Sequence, residues 1–202
     1  EILHEMFTDA QDFASANLMS KLDGQVDRLT KLISDLLDVT KVSEGVLQLT
    51  MESVNVSELI KNTTEEIQRT TRGHNIKLIM EPLPEVCGDK ERLGQVLTNL
   101  LSNAIKYSTD KEDILVKATD ENGNVKISVL DSGIGMSPST VAKLFTRFFR
   151  SDNPTIQSYP DLGLGLFISM EIMRRHKGTI LVQSEPGKGS VFTIILPSKL
   201  QE

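Results

Sequence analysis

The 202 residues carry 22 Lys and Arg against 28 Asp and Glu, a formal net charge of −6 that excludes general nucleic-acid affinity, because neutralising phosphates needs a basic face. Hydrophobic residues make up 39% and charged residues 25%, the balance of a globular chain long enough to bury a core and not that of a disordered or collagen-like one. One cysteine, Cys87, excludes an internal disulfide and a cysteine-based zinc site and is read as a small core residue; with no apolar run near the ~20 residues of a membrane helix and no signal peptide, the expectation is a soluble, cytoplasmic stretch without direct membrane contact, whether or not a parent protein is anchored.

From about Ala14 to Val42, Leu22, Val26, Leu29, Ile33 and Leu36 recur at alternating steps of four and three, the seam of a long helix that calls for a second helix or a second chain. Gly45 is the expected stop. Leu47, Leu49 and Met51 alternate as in a half-buried strand, and Ser57 is the expected N-cap of a helix reaching about Thr71. A strand is predicted over Asn75 to Met80. Asp89 then caps the clearest helix, from Lys90 to about Tyr107, whose apolar face is Leu93, Val96, Leu97, Leu100, Leu101 and Ala104. "DILVKAT" and "NVKISVL" flank Asn122 and Gly123 as a hairpin. A short helix starts at Pro138 behind Ser137, and "RSDNPTIQSYPD", Arg150 to Asp161, suits a mobile loop. A further helix follows Gly163 and Gly165 and ends near His176 and Lys177 with Gly178 as its C-cap. Strands "TILVQS" and "SVFTIIL", joined by "EPGKG", close the pattern. Interleaved strands and helices with hairpins predict a two-layer α/β sandwich with a mixed sheet, preceded by the long helix.

On the Lys90 to Tyr107 helix, Asn99, Asn103 and Tyr107 lie four residues apart with Lys106 on the same side. Their stripe sits about 110° from the centre of the apolar face, at the rim of the core. An amide oxygen there can help hold Mg²⁺, which keeps several waters and is normally shared with phosphates, and a lysine can meet a phosphate as a point charge. A solvated helix face would account for the same stripe. Asp131, at a strand end, could accept a hydrogen bond from an exocyclic amine, while Gly133 and Gly135 let backbone approach a flat base, although a plain turn needs such glycines as well. Gly163 and Gly165 precede a helix, where free N–H groups favour phosphate. Arg147 and Arg150 lie between the two glycine pairs. The Walker A pattern and a strand-initiated G-x-G-x-x-G are both missing, which disfavours the P-loop and Rossmann routes.

From about Asp35 to Pro197 the sequence resembles a bacterial sensor histidine kinase, with the ATP-binding domain of the gyrase, Hsp90 and histidine kinase ATPase superfamily. "NLLSNAIKYS" (99–108) matches its N box, "DSGIGM" (131–136) its first glycine box, "LFTRFFR" (144–150) its phenylalanine box and "LGLGLFI" (162–168) its second glycine box. "GKGSVFTIILP" is similar to its closing turn and strand. "LTKLISDLLDVTKVSEG" (29–45) is similar to the end of its second dimerisation helix and linker.

The resemblance implies a Bergerat-type ATP-binding catalytic domain over 46–202, with 1–45 as the C-terminal part of the dimerisation and phosphoacceptor helical domain. It implies Mg·ATP, with Asn103 helping to bind Mg²⁺, Asn99 supporting the metal and phosphate shell, and Lys106 and Arg147 facing phosphates as catalytic groups. Tyr107 would pack at the nucleotide, Asp131 would read the adenine amine, Gly133 and Gly135 would leave room for the base, and Gly163 and Gly165 would end the ATP lid over 150–161. It also implies a homodimer through the long helix and relay of the γ-phosphate, through a histidine, to the receiver domain of a response regulator.

Two departures stand out. Asp161 replaces a glycine of the second glycine box, placing a negative charge near the phosphates, and the phosphoacceptor motif His-Glu-x-x-Thr-Pro is missing. "HEMFTDA" has His4 and Glu5 without Thr-Pro, so the expected acceptor lies upstream, and His74 and His176 are read as structural. Related ATPases use a glutamate at the position of Asn99, and an amide cannot serve as that base, which favours transfer to a protein over hydrolysis. A non-catalytic signalling module, a serine-directed kinase of the same superfamily and a pure scaffold are the alternatives.

Overall fold

The structure, a computed structural model, describes residues 13–71, 73–108, 113–150 and 162–198. The chain divides into two compact units, Glu1–Gly45 and Val46–Glu202. The first contains α1 (Phe13–Ser43), a single long helix. Its seam residues Leu22, Val26, Leu29, Ile33 and Leu36 are 48–62% exposed, so nothing among the described residues covers them. Gly45 follows at φ +72°, a left-handed stop after the last turn. No helix among the described residues is long and apolar enough to cross a membrane.

In the second unit the order is β1 (Glu52–Val54), α2 (Val56–Thr70), β2 (Ile76–Met80), β3 (Val86–Gly88), α3 (Lys90–Tyr107), β4 (Ile114–Glu121), β5 (Asn124–Asp131), α4 (Pro138–Val141), α5 (Gly165–Arg175), β6 (Thr179–Glu185) and β7 (Gly189–Pro197). β1 and β3 form a small antiparallel ribbon. The other strands form a mixed sheet in the order β2-β4-β5-β7-β6, with β2 parallel to β4 and every other pairing antiparallel. Because side chains alternate along a strand, Val116, Ala118, Val125, Ile127, Val129, Ile194 and Leu196 all bury on one face. There they meet α2, α3 and α5, which pack over β2, β5 and β6 respectively. The opposite face carries Lys117, Lys126, Ser128 and Thr193, the last two hydrogen-bonded across the β5–β7 ladder at 2.9 Å. The result is the two-layer α/β sandwich with helices on one face.

Asp89 caps α3 as expected, Oδ1 accepting the Arg92 N–H at 3.0 Å. Asn122 and Gly123 turn the β4–β5 hairpin with φ of +54° and +74°, the sign a two-residue type I′ turn requires. Three local expectations are corrected. Leu47 to Met51 is not a strand, because its backbone bonds go to side chains: the Thr50 N–H donates to Asp89 and the Leu47 carbonyl accepts from Arg175, so pairing starts at Glu52. The N-cap of α2 is Asn55, whose side chain accepts the Glu58 N–H at 3.0 Å; starting there buries Val56 in register with Leu59, Ile60 and Ile67, and leaves Ser57 inside the helix. The left-handed residue after α5 is Lys177 (φ +56°), not Gly178, whose N–H instead returns to the Met173 carbonyl at 2.8 Å. Cys87 lies half-buried in β3, a strand too short for the sequence to announce.

β2 is an edge. The Ile114 N–H donates to the Asn75 carbonyl and the Glu81 N–H to the Ala118 carbonyl, so odd-numbered residues face β4, and the backbone groups of Ile76, Leu78 and Met80 face outward. Gln68 of α2 reaches to that edge, its Oε1 accepting the Ile76 N–H at 2.7 Å and its Nε2 donating to the His74 carbonyl at 3.1 Å.

Candidate functional site

The C-terminal half of α3, the end of β5, the 162–166 segment and β7 enclose one cavity. Asn99, Asn103, Lys106 and Tyr107 form one wall, Asp131 and Gly135 another, and Gly163 and Gly165 close it at the start of α5. The stripe at the rim of α3 thus faces a pocket instead of open solvent. Its residues are half-buried, and the Lys106 ammonium sits 4.8 Å from the centroid of the Tyr107 ring. Asn99 Nδ2 donates to Ser169 Oγ of α5 at 2.9 Å, which fixes how the amide presents itself. Asp131 Oδ1 accepts the Gly133 N–H at 2.9 Å, so the carboxylate is oriented by its own turn.

Two of the expected residues fall elsewhere. Gly133 is buried and does not line the cavity; its missing side chain makes room for the Tyr107 carbonyl, which also accepts the Ile134 N–H at 3.2 Å. The Tyr107 carbonyl itself requires this close approach. Arg147 is exposed and stacks on Phe167 of α5, with its guanidinium carbon 4.7 Å from the ring centroid, while Arg150 takes a place on the cavity wall. Asp161 and the rest of the expected lid, 151–161, lie outside the described residues, as does His4.

Several wall residues lie within or beside the quoted motifs but had been given no role. Ile134, Met136, Leu144, Phe149, Leu166 and Phe192 give the pocket an apolar interior, and Thr140 and Ser190 add hydroxyls. Ser190 stands directly across the β5–β7 ladder from Asp131, a neighbour that only the register reveals. The β6–β7 turn braces the back of the site: the Gly187 N–H donates to the Ile134 carbonyl at 2.7 Å and the Met136 N–H to Ser184 Oγ at 2.9 Å. Gly135, at φ +62°, leaves no room for a β-carbon beside the Glu185 carbonyl, so this second glycine is required by that brace.

The donor set bears on what the cavity could hold. No group of three His, Cys, Asp or Glu side chains that could cage a metal occurs among the described residues. The amide oxygens of Asn103 and Asn99 on the wall could share a cation with water and an anionic ligand, a donor set that suits Mg²⁺ better than zinc. An apolar pocket with a carboxylate at one end and lysine, amides and a helix N-terminus at the other suits an amphipathic molecule with a polar flat ring and a phosphate tail. His176 is buried with both ring nitrogens engaged, by the Asp89 N–H at 2.9 Å and the Ile172 carbonyl at 2.8 Å, so it offers no free nitrogen to a phosphate.

Residues 88–200 match the family model described as histidine kinase-, DNA gyrase B-, and HSP90-like ATPase. The chain is 34% identical over 176 residues to the sensor histidine kinase MtrB of Mycobacterium leprae (strain TN), covering 86% of this chain and 31% of that protein. It is 35% identical over 185 residues to the sensor histidine kinase ZraS of Escherichia coli (strain K12), covering 90% of this chain and 37% of that protein. It therefore spans about a third of the length of these curated relatives. Among solved structures it is similar to full-length ShkA in complex with AMPPNP, at a TM-score of 0.76 and 27% identity, over 90% of this chain and 38% of that chain. It is also similar to the mycobacterial sensor histidine kinase MprB, at a TM-score of 0.66 and 28% identity, over 74% of this chain and 99% of that one.

Proposed function

Because the chain belongs to the histidine kinase-, DNA gyrase B- and HSP90-like ATPase family, we propose that its cavity binds Mg·ATP and presents the γ-phosphate to a histidine acceptor, as the catalytic part of a two-component sensor kinase. The observation that carries this reading is the convergence of Asn99, Asn103 and Lys106 with Asp131, Gly163 and Gly165 in one cavity with an apolar interior. Asp131 accepts the adenine amine, held for it by the Gly133 N–H. Tyr107 and the apolar wall exclude water from the base. Lys106, Arg150 and the backbone at the start of α5 take the phosphates, and Asn103, seconded by Asn99, holds the Mg²⁺. When bound, the ion neutralises phosphate charge and helps align the leaving group.

Catalysis here is positioning and charge stabilisation. The imidazole nitrogen of the acceptor forms a bond to the γ-phosphorus as the bond to the β–γ bridging oxygen breaks, and ADP leaves with that electron pair. Asn99 is a neutral amide already donating to Ser169, so it cannot deprotonate water, and this favours a protein nucleophile over hydrolysis. Residues 1–45 serve as dimerisation helix and linker, with a second copy covering the exposed seam, and a response regulator receiver domain takes the phosphoryl group onward.

Titration with AMPPNP in Mg²⁺ and in EDTA tests the reading. Binding is expected to need Mg²⁺, and Asp131→Asn is expected to weaken it at least tenfold, since a carboxylate that accepts the amine is replaced by a group that can oppose it. Equal affinity of the two proteins, or no binding by the unaltered chain, would instead favour a scaffold or a non-catalytic module.

A further inference from the structure

Resting on the nucleotide-binding reading above, we propose that Arg175 and His176 are positioning residues for the phosphoryl-transfer site, clasping segment 46–51 to the start of α3 so that this segment and the nucleotide influence one another. α5 runs antiparallel along α3, and the two are joined at three heights. At the cavity, Gly165 packs so closely on Asn99 that a β-carbon would lie 2.5 Å from the amide oxygen. One turn further, Ser169 accepts from Asn99 at 2.9 Å. At the far end, His176 Nε2 accepts the Asp89 N–H at 2.9 Å.

The chemistry at that far end is fixed by its partners. The Ile172 carbonyl facing Nδ1 can only accept and the Asp89 N–H facing Nε2 can only donate, so Nδ1 carries a proton and Nε2 is the acceptor that holds the start of α3. The next residue back, Arg175, donates from Nη1 to the Leu47 carbonyl at 2.6 Å. Asp89 divides its carboxylate, Oδ1 accepting from the first turn of α3 and Oδ2 accepting the Thr50 N–H at 2.9 Å. Two bonds thus tie segment 46–51 to two helices, both of which line the cavity with their other parts.

This segment is the covalent route into the 46–202 unit, starting just after the left-handed Gly45. Withdrawing the Leu47 carbonyl releases Arg175, and withdrawing Thr50 takes its N–H donor away from Asp89 Oδ2, loosening the carboxylate whose Oδ1 caps α3. Asn99 lies ten residues along α3, about 15 Å from Asp89, and Gly165 lies about 15 Å from Arg175 along α5. A ligand that holds Asn99 and Gly165 together therefore steadies the clasp, and by linkage the clasp must change ligand affinity by the same factor.

Amide hydrogen exchange of the 202-residue chain, with and without Mg·AMPPNP, tests this. Nucleotide is expected to slow exchange of the Thr50 amide three- to tenfold. Arg175→Met should abolish that slowing and weaken AMPPNP by the same three- to tenfold, while Arg175→Lys, which retains a donor, should recover part of both. A rigid structural strut would show neither the nucleotide dependence nor the matched factors. Binding by the unaltered chain with no change over 47–50 would overturn the clasp and leave the nucleotide reading standing, whereas no binding at all would overturn both. If Arg175→Met fails to fold, the exchange comparison on the unaltered chain decides alone.

Discussion

A methyl group added at Gly133 would collide with the carbonyl oxygen of Tyr107, the last residue of α3, and the turn could move only by giving up the Asp131–Gly133 hydrogen bond. Gly133→Ala is therefore expected to lower unfolding free energy by about 1–3 kcal/mol, as overpacking does, and to weaken nucleotide binding as well. Denaturant midpoints together with AMPPNP titration would check both; an unchanged midpoint would show that the turn yields freely. Asp89 makes a separate prediction. Burial by itself pushes its carboxyl up, but the Arg92 and Thr50 N–H groups and the Arg92 charge outweigh this and hold it below the ordinary carboxylate value. A depressed folded pKa gives stability that is full above the unfolded value, near 4, and is lost as pH falls through the folded one. Acid unfolding of the unaltered chain should thus be steeper below about pH 4 than that of Asp89→Asn, and parallel curves would remove Asp89 from the balance. At this scale the motif residues that line the cavity could be picked out because their chemistry is written in residue type, whereas Gly133 and Arg147 fall off its wall. The left-handed Phe148 and Lys177 were not, since their φ of +60° and +56° is imposed by packing on residues with no preference for it.

Among the elements, α3 and the β4–β5 hairpin were readable because each is stabilised by neighbours in sequence: a cap, a 3.6-residue stripe, a two-residue turn. β1 and β3 are three residues each and exist through pairing with one another across more than thirty residues, so periodicity had nothing to count. The α1 seam is the reverse case, a clear pattern that nothing among the described residues buries. Leu29 and Ile33 are 58% and 52% exposed. If a second copy covers them, changing both to Asp should weaken self-association by about two orders of magnitude or more, given the cost of removing buried aliphatics from an interface. Sedimentation equilibrium would read this, and a dimer that persists unchanged would place the interface elsewhere.

For the molecule as a whole, the sandwich followed from the alternation of elements, but the order β2-β4-β5-β7-β6 did not. The parallel β2–β4 contact spans β3 and α3, and a pairing of that range leaves no local mark. The same order makes β2 an outermost strand, with outward backbone groups at Ile76, Leu78 and Met80 and Ile79 58% exposed. An outermost strand that no other strand among the described residues pairs with on its outer side invites another chain to add to it and begin aggregation. The Gln68 amide, held against Ile76 and His74, acts as a false neighbouring peptide that ends the template at its first rung. Gln68→Ala should leave the fold standing yet hasten the growth of β-rich aggregates on mild heating, measurable by thioflavin fluorescence. One amide on a helix thereby guards the sheet against its own copies.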